Sequence, residues 1–230
     1  MFDLGILKKY FIDYGGYEDL INGILATIEI AVFGLIIGIV IGTLIAVIKI
    51  IPQNNVVVKI LNKICNVYVA IFRGTPIVVQ LLIFYYAFPS VLGINFPKLP
   101  CAIVTFGMNS GAYVSEIMRA GIMSVDKGQM EAGRSVGLKF SQGMFFIVLP
   151  QAIKNIIPTL GNEFISLIKE TSIASFIVIM DVTKVFQDYA SSSLDYFTFY
   201  LTLALIYLTF VLLITLLIRL IEKRLRRNER

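Results

Sequence analysis

Five apolar stretches dominate this chain, and each is long enough to cross a bilayer. They run from about Leu20 to Ile48, Ile64 to Phe88, Cys101 to Val125, Ile147 to Ile168 and Tyr196 to Ile221. A helix needs about 20 apolar residues to span the hydrocarbon core. Charged residues make up 15% of the chain and the mean hydropathy is +0.84, whereas a soluble domain carries roughly 25% charged residues. The sequence therefore specifies an all-α integral membrane protein with five transmembrane helices. A sixth apolar run, Thr171 to Ile179, is too short to cross and reads as a partly inserted connector. The opening, Met1 to Gly23, lacks the basic-then-apolar order of a signal peptide and holds Asp3, Asp13, Glu18 and Asp19, as expected of an exposed tail leading into the first span. No repeat of solenoid period and no low-complexity linker divides residues 1–230, which read as one membrane domain.

Orientation follows from the basic residues, because cytoplasmic loops carry an excess of Lys and Arg. One set of connections holds Lys49, Lys59, Lys63, Lys127, Arg134, Lys139, Arg219, Lys223, Arg224, Arg226, Arg227 and Arg230. The opposite set holds Lys8, Lys9, Lys98 and Lys184, among acids that include Asp181, Asp188 and Asp195. The first set is expected inside, so the N-terminus lies outside and the C-terminus inside, which an odd number of spans satisfies. The net charge of +5 is thus a matter of topology and not of nucleic-acid binding, and the basic tail from Arg219 to Arg230 reads as an anchor beside anionic headgroups.

Histidine is absent, which removes Ser-His catalysis, H-E-x-x-H zinc sites and histidine proton relays. Cys65 and Cys101 lack metal-ligand spacing and read as free thiols. No metal site is expected, and no catalytic residues.

The connection between the third and fourth stretches, about 126–150, carries an ordered pattern. Glu131-Ala132-Gly133 is followed by Gly137, then by Ile147, Leu149 and Pro150: E-A-[AG]-x3-G-x9-I-x-L-P. Glu131 to Ser135 suits a short helix, Gly137 the left-handed turn that ends it, and Pro150 the first turn of the next span. Such a helix, held between two spans, is a lever: a push on it tilts both.

This pattern resembles the EAA loop of permease subunits in bacterial ATP-binding-cassette (ABC) importers. Arg73-Gly74-Thr75-Pro76 with Gln80, Leu149-Pro150-Gln151-Ala152 and Lys169-Glu170-Thr171-Ser172 are similar to permeases of the polar amino acid family, the histidine, glutamine and arginine uptake type. The resemblance covers most of the chain, from the first span to the fifth. It implies the type I importer permease fold, a bacterial plasma membrane location and a non-catalytic transport subunit. It also implies partners: a second permease copy in a homodimer, two cytoplasmic ATPase subunits that bind ATP and Mg, and an extracytoplasmic amino-acid-binding protein. Glu131, Ala132, Gly133 and Gly137 are then the residues that couple to the ATPase, Gly133 standing where alanine is commonest. The chain lacks a G-x-x-x-x-G-K-[ST] phosphate loop, consistent with ATP being handled by a partner and with no cofactor in this chain.

Ionisable groups inside spans cost about 2.5–3.5 kcal/mol at a helix centre on insertion scales, so each needs a reason. Glu116 and Arg119 can pair three residues apart. Arg73 can be satisfied by Gln80 or by backbone carbonyls, and Lys154 can snorkel. Glu29 and Glu163 have no local partner. Asn22 shares a face with Glu29, and Thr159, Glu163, Ser166 and Glu170 form a stripe beside Asn162. One reading places Glu163, Glu29, Asn22 and Asn162, with Met108, Asn109 and Thr105, around a transient amino acid site. Uncompensated carboxylates there favour a cationic cargo such as arginine, lysine or histidine; glutamine or another polar amino acid is the alternative. The competing reading pairs both acids with Arg73 or Lys154 and gives Met108 to packing. Gly34, Gly38 and Gly42 form a G-x-x-x-G-x-x-x-G stripe for close helix approach. Among other classes, a secondary transporter should show inverted repeats, a channel should show a filter or charged ring, and an intramembrane enzyme should show histidine or an Asp dyad; none is visible.

Overall fold

A computed structural model describes residues 2–52 and 54–226, with side chains to 224. Arg227 and Arg230 of the basic tail, and the side chain of Arg226, lie outside the described residues. The elements are α1 (Leu4–Lys8), α2 (Tyr17–Ile50), α3 (Val56–Gly74), α4 (Ile77–Leu82), α5 (Phe88–Leu92), α6 (Lys98–Met123), α7 (Lys127–Ser135), α8 (Phe140–Gly143), α9 (Leu149–Glu170), α10 (Val182–Ser193) and α11 (Tyr196–Arg226). No strand occurs among the described residues.

The α2–α6 pair is the spine of the bundle. Lipid tails are as apolar as leucine, so helices associate in a membrane by close packing and not by hiding apolar surface. The expected glycine stripe supplies that packing. A Cβ on Gly38 would stand 2.7 Å from Ser110 Oγ, and one on Gly42 2.6 Å from Val114 Cγ1. The fit is reciprocal: a Cβ on Gly107 would meet Ile37 at 2.6 Å and one on Gly111 would meet Ile41 at 2.8 Å. Around this seam Ile30, Ala31, Leu81, Phe106, Leu167 and Ile177 form the main buried cluster.

Three helical stretches, Tyr17–Ile50, Phe140–Ile177 and Tyr196–Arg224, are individually long and apolar enough to cross a membrane; the pair Val56–Gly74 and Ile77–Leu92 qualifies jointly. α6 has the length, 26 residues, but its apolar character is diluted by Asn109, Ser110, Ser115, Glu116 and Arg119. It can carry them because it is enclosed: Asn109, Ser110 and Ser115 are buried against neighbouring helices.

The expected second span, Ile64 to Phe88, is corrected by a bend of 105° between its two halves. Pro76 drives Thr75 into an extended conformation, φ −122° and ψ 146°, because the proline ring crowds the preceding residue out of the helical region.

Two single π turns, Ile83–Ala87 and Met144–Val148, each run directly into a two-residue step ending in proline, Pro89 and Pro150. A proline inside a helix removes one N–H donor and crowds the carbonyl four residues back; a wider turn at that place accommodates both. The expected fourth span is corrected accordingly. Its helical path begins at Phe140 rather than Ile147, Pro150 lies inside it, and it continues through a 3₁₀ segment, Thr171–Ile177. That segment, expected as a partly inserted connector, is packed into the core through Ala174 and Ile177.

The N-terminal segment, though exposed along much of its length, is folded and anchored and not a free tail. Asp3 caps α1, its carboxylate accepting from Gly5 N at 2.7 Å, and Ile6, Leu7, Tyr10 and Phe11 pack on Val182, Phe186, Ala190 and Phe199. Tyr189 Oη donates to Asp19 at 2.6 Å, fastening α10 to the start of α2.

Candidate functional site

α7 is built as a rigid knuckle. Asp126 opens it, accepting from Gly128 N at 2.7 Å. It closes with Leu138 N donating to Gly133 O at 3.1 Å and Gly137 N to Arg134 O at 3.0 Å, the paired bonds of a Schellman motif. Gly137 sits at φ 88°, a left-handed conformation that costs other residues roughly 1–2 kcal/mol. The motif's spacing now has a physical meaning: Gly133 is buried under Ile147, whose Cδ1 would lie 2.7 Å from a Cβ at 133. Gln151 ties the same junction, donating to Ile147 O at 2.9 Å and to Gln129 Oε1 at 3.3 Å. Glu131, Ala132, Arg134, Ser135 and Val136 are left exposed on the opposite side. Nothing in the sequence singled out Gln129.

At the root of the knuckle three charges from two helices converge. Glu116 accepts from Lys49 at 2.8 Å and from Arg119 at 3.0 Å. The Glu116–Arg119 pair matches expectation. Lys49, read from sequence as a loop cation, instead crosses from the end of α2 to α6, and its side chain is only 9% exposed.

The bend between α3 and α4 carries a second network. In an uninterrupted helix the N–H at position 76 would serve Phe72 O; proline has none. Gln80 Nε2 fills the gap, donating to Phe72 O at 2.9 Å, Thr75 O at 3.1 Å and Thr75 Oγ1 at 2.9 Å. Asn109 Nδ2 adds bonds to Phe72 O at 3.1 Å and Gln80 Oε1 at 2.9 Å. Gln80 is therefore the partner of the bend and not of Arg73. Arg73 lies over the ring of Tyr113, 5.3 Å from its centroid.

Two adjoining clefts meet at Arg73 and Tyr113. One, of about 410 Å³, continues past Glu116 and Ser124 to Asn155 and Thr159. The other, of about 460 Å³, continues past Thr75 and Asn109 to Glu170. Asn155, Thr159, Glu163, Ser166 and Glu170 follow one face of α9 at helical spacing, so this polar stripe runs alongside both. Glu163 is half-buried in that stripe and accepts from Ser110 Oγ at 2.9 Å.

A family described as binding-protein-dependent transport system inner membrane component matches residues 34–227, which include both the knuckle and the clefts. The chain belongs to that family. It is 41% identical over 206 residues to the provisionally named glutamine transport system permease protein GlnP of Rickettsia prowazekii (strain Madrid E), covering 90% of this chain and 92% of the relative. It is 38% identical to the L-cystine transport system permease protein TcyB of Bacillus subtilis (strain 168), covering 90% and 86%. Among solved structures, an amino acid ABC transporter crystallised with histidines matches at a TM-score of 0.85 and 37% identity, covering 93% of this chain and 98% of that one. The permease thus has the all-α type I ABC importer fold and is a multi-pass component of the bacterial inner membrane, a transport subunit and not itself an enzyme.

Within the permease, the residues expected at a substrate site are distributed unevenly. Glu163 lines neither cleft but lies on α9 between Thr159 and Glu170, which line one each, and Asn109 lines the second. Thr105 is buried and donates to Cys101 O at 2.8 Å. Met108 packs against the cluster of Ile45, Cys65, Val69 and Phe72. Asn162 is exposed. Asn22 and Glu29 are exposed on a side of α2 shared with Leu25 and Phe33, while the buried Gly34, Gly38 and Gly42 of the same helix meet α6. The cleft residue the sequence reading passed over is Tyr113, whereas Glu170, read as part of the α9 stripe, lines one cleft. The signal for Tyr113 was available in its i, i+4 relation to Asn109.

Proposed function

We propose that the permease imports polar amino acids, cationic ones foremost, as one of two identical membrane subunits. Each copy crosses the membrane five times with its N-terminus outside, α6 and the bent α3–α4 pair counting as one span each. α7 then lies in the cytoplasm, where its exposed face, Glu131, Ala132 and Val136, docks on a separate ATPase subunit that binds ATP and Mg. An extracytoplasmic binding protein delivers the amino acid. This chain itself holds no cofactor.

The observation that carries the cargo reading is Glu163. It is a carboxylate in a polar stripe inside the bundle, bonded through one oxygen to Ser110, with no basic partner among the described residues. A carboxylate in that stripe without a basic partner favours a second positive charge on the cargo. Asn162 adjoins it. Glu29 and Asn22 extend the site if their exposed side of α2 meets the second copy across the dimer. Met108 contributes through the wall it forms with Tyr68, whose hydroxyl donates to Met108 O.

Uptake into vesicles containing the permease with its ATPase and binding protein tests this. Glu163→Gln keeps the Ser110 bond and removes the charge. Arginine and lysine uptake should fall about tenfold to a hundredfold, the worth of a hydrogen bond to a charged group, while glutamine uptake persists. Unchanged arginine and lysine uptake in an assembled complex would rule out the cationic site. Glutamine as the native cargo is the second reading, favoured by the similarity to GlnP; it predicts wild-type uptake of glutamine above that of arginine.

Coupling has its own test. Gly137→Asp forces a side chain into the left-handed turn and loosens the end of α7. ATP hydrolysis should continue while uptake drops at least severalfold. Full coupling in that variant would count against a docking role.

A further inference from the structure

We infer that Arg73 anchors the α-carboxylate of the transported amino acid, with Tyr113 as the platform that orients it; this rests on the amino acid reading above. Arg73 lies in the last turn of α3, just before the bend, and Tyr113 faces it from α6. The guanidinium lies over the ring at 5.3 Å. A cation–π contact of this kind uses none of the five N–H donors of the guanidinium. None of those donors is bonded to a described residue. Carboxylates stand nearby, yet Glu116 is taken by Lys49 and Arg119, and Glu170 forms no ion pair with Arg73 although it lines the same cleft.

The position of this group matters as much as its freedom. Among the described residues Arg73 is the one cation lining either of the two adjoining clefts, and both include it. Their volumes, about 410 and 460 Å³, fall in the range of small-molecule sites, roughly 300–1,000 Å³. Glu170 supplies the opposite charge in one cleft, and Glu163 lies two helical turns before it on α9. A zwitterion presents a carboxylate and an ammonium on one carbon, so a site that recognises it needs a cation and an anion on facing walls. Arg73 and Glu170 meet that requirement. The planar fork of a guanidinium suits a carboxylate in two parallel hydrogen bonds, which a lysine ammonium cannot match. Arg73 would then read what all amino acids share, and Glu163 what sets one apart from another.

The test is a cycle between residue and ligand. Purified permease–ATPase complex, without the binding protein, is titrated with L-arginine, L-glutamine and their α-amides in a competition assay. Wild type should prefer each acid over its amide by about tenfold to a hundredfold. Arg73→Gln should bring that preference to within about twofold by weakening the acid alone; Arg73→Lys and Tyr113→Leu should retain an intermediate preference. The inference is overturned if Arg73→Gln keeps the wild-type preference, if the wild type shows none while transporting these amino acids, or if all three variants lose acid and amide alike, which marks a structural role. Absence of ATP-driven uptake of any amino acid by the wild type would instead defeat the amino acid reading itself.

Discussion

Replacing Glu116 by alanine should destabilise the folded permease by about 3–5 kcal/mol, the usual result of removing one partner from a buried ion pair. Lys49 would be left 9% exposed with its charge unmatched, at the point where α2 meets α6. Arg119 is 41% exposed and can turn to water, so the loss falls on Lys49. The expected signature is a lower midpoint when the purified protein is titrated with dodecyl sulfate in mixed micelles. Combining Glu116→Met with Lys49→Met should recover most of the loss, since a buried pair replaced by apolar groups of similar volume is often neutral or better. Equal midpoints for wild type and Glu116→Ala would show that the pair contributes nothing. A double variant as unstable as the single would assign the effect to packing.

Gln80→Leu should cost about 2–3 kcal/mol by the same titration. The leucine fills much of the space but donates nothing to Thr75 O and accepts nothing from Asn109, and each buried polar group left without a partner costs about 1–3 kcal/mol. Phe72 O retains Asn109, which is why the loss stays below the sum of the parts. Asn109→Leu in the same chain should then be much worse than additive, because it strips the last donor from Phe72 O. Additive losses would mean that the two side chains act separately and that the bend is held by its backbone alone.

Much of this was legible in the sequence, and the failures share a cause. The positions of α2 and α11 came from hydropathy because their apolar runs are long, and the knuckle came from Glu131–Ser135 and Gly137, where short-range chemistry decides the backbone; its start at Asp126 was not read. The 105° bend was missed although Gly74, Thr75 and Pro76 were in view, because hydropathy is blind to direction: both arms are apolar, so they read as one straight span. Gln80 was offered as one of two ways to satisfy Arg73 by helical spacing, a rule that fails once the helix breaks between them. Lys49 looked like a loop cation because its partner, Glu116, lies 67 residues away. The docking of Ile6, Tyr10 and Phe11 was hidden by the acids around them. Glu163 was identified as an acid without a local partner, but Ser110 on another helix could not be seen from α9 alone.

The glycine seam sets which parts of the permease can move. Along Gly38–Gly42 and Gly107–Gly111 the two backbones are near contact, with space for no intervening atom. Sliding or tilting one helix against the other would drive Ile37, Ile41 or Val114 into main chain. α2 and α6 therefore travel as a single strut, and Lys49 bolts one end of it. Any change of access across the bilayer has to be taken up where the wall is not welded: at the elbow around Thr75, in the wide turns before Pro89 and Pro150, and where α9 tightens after Glu170.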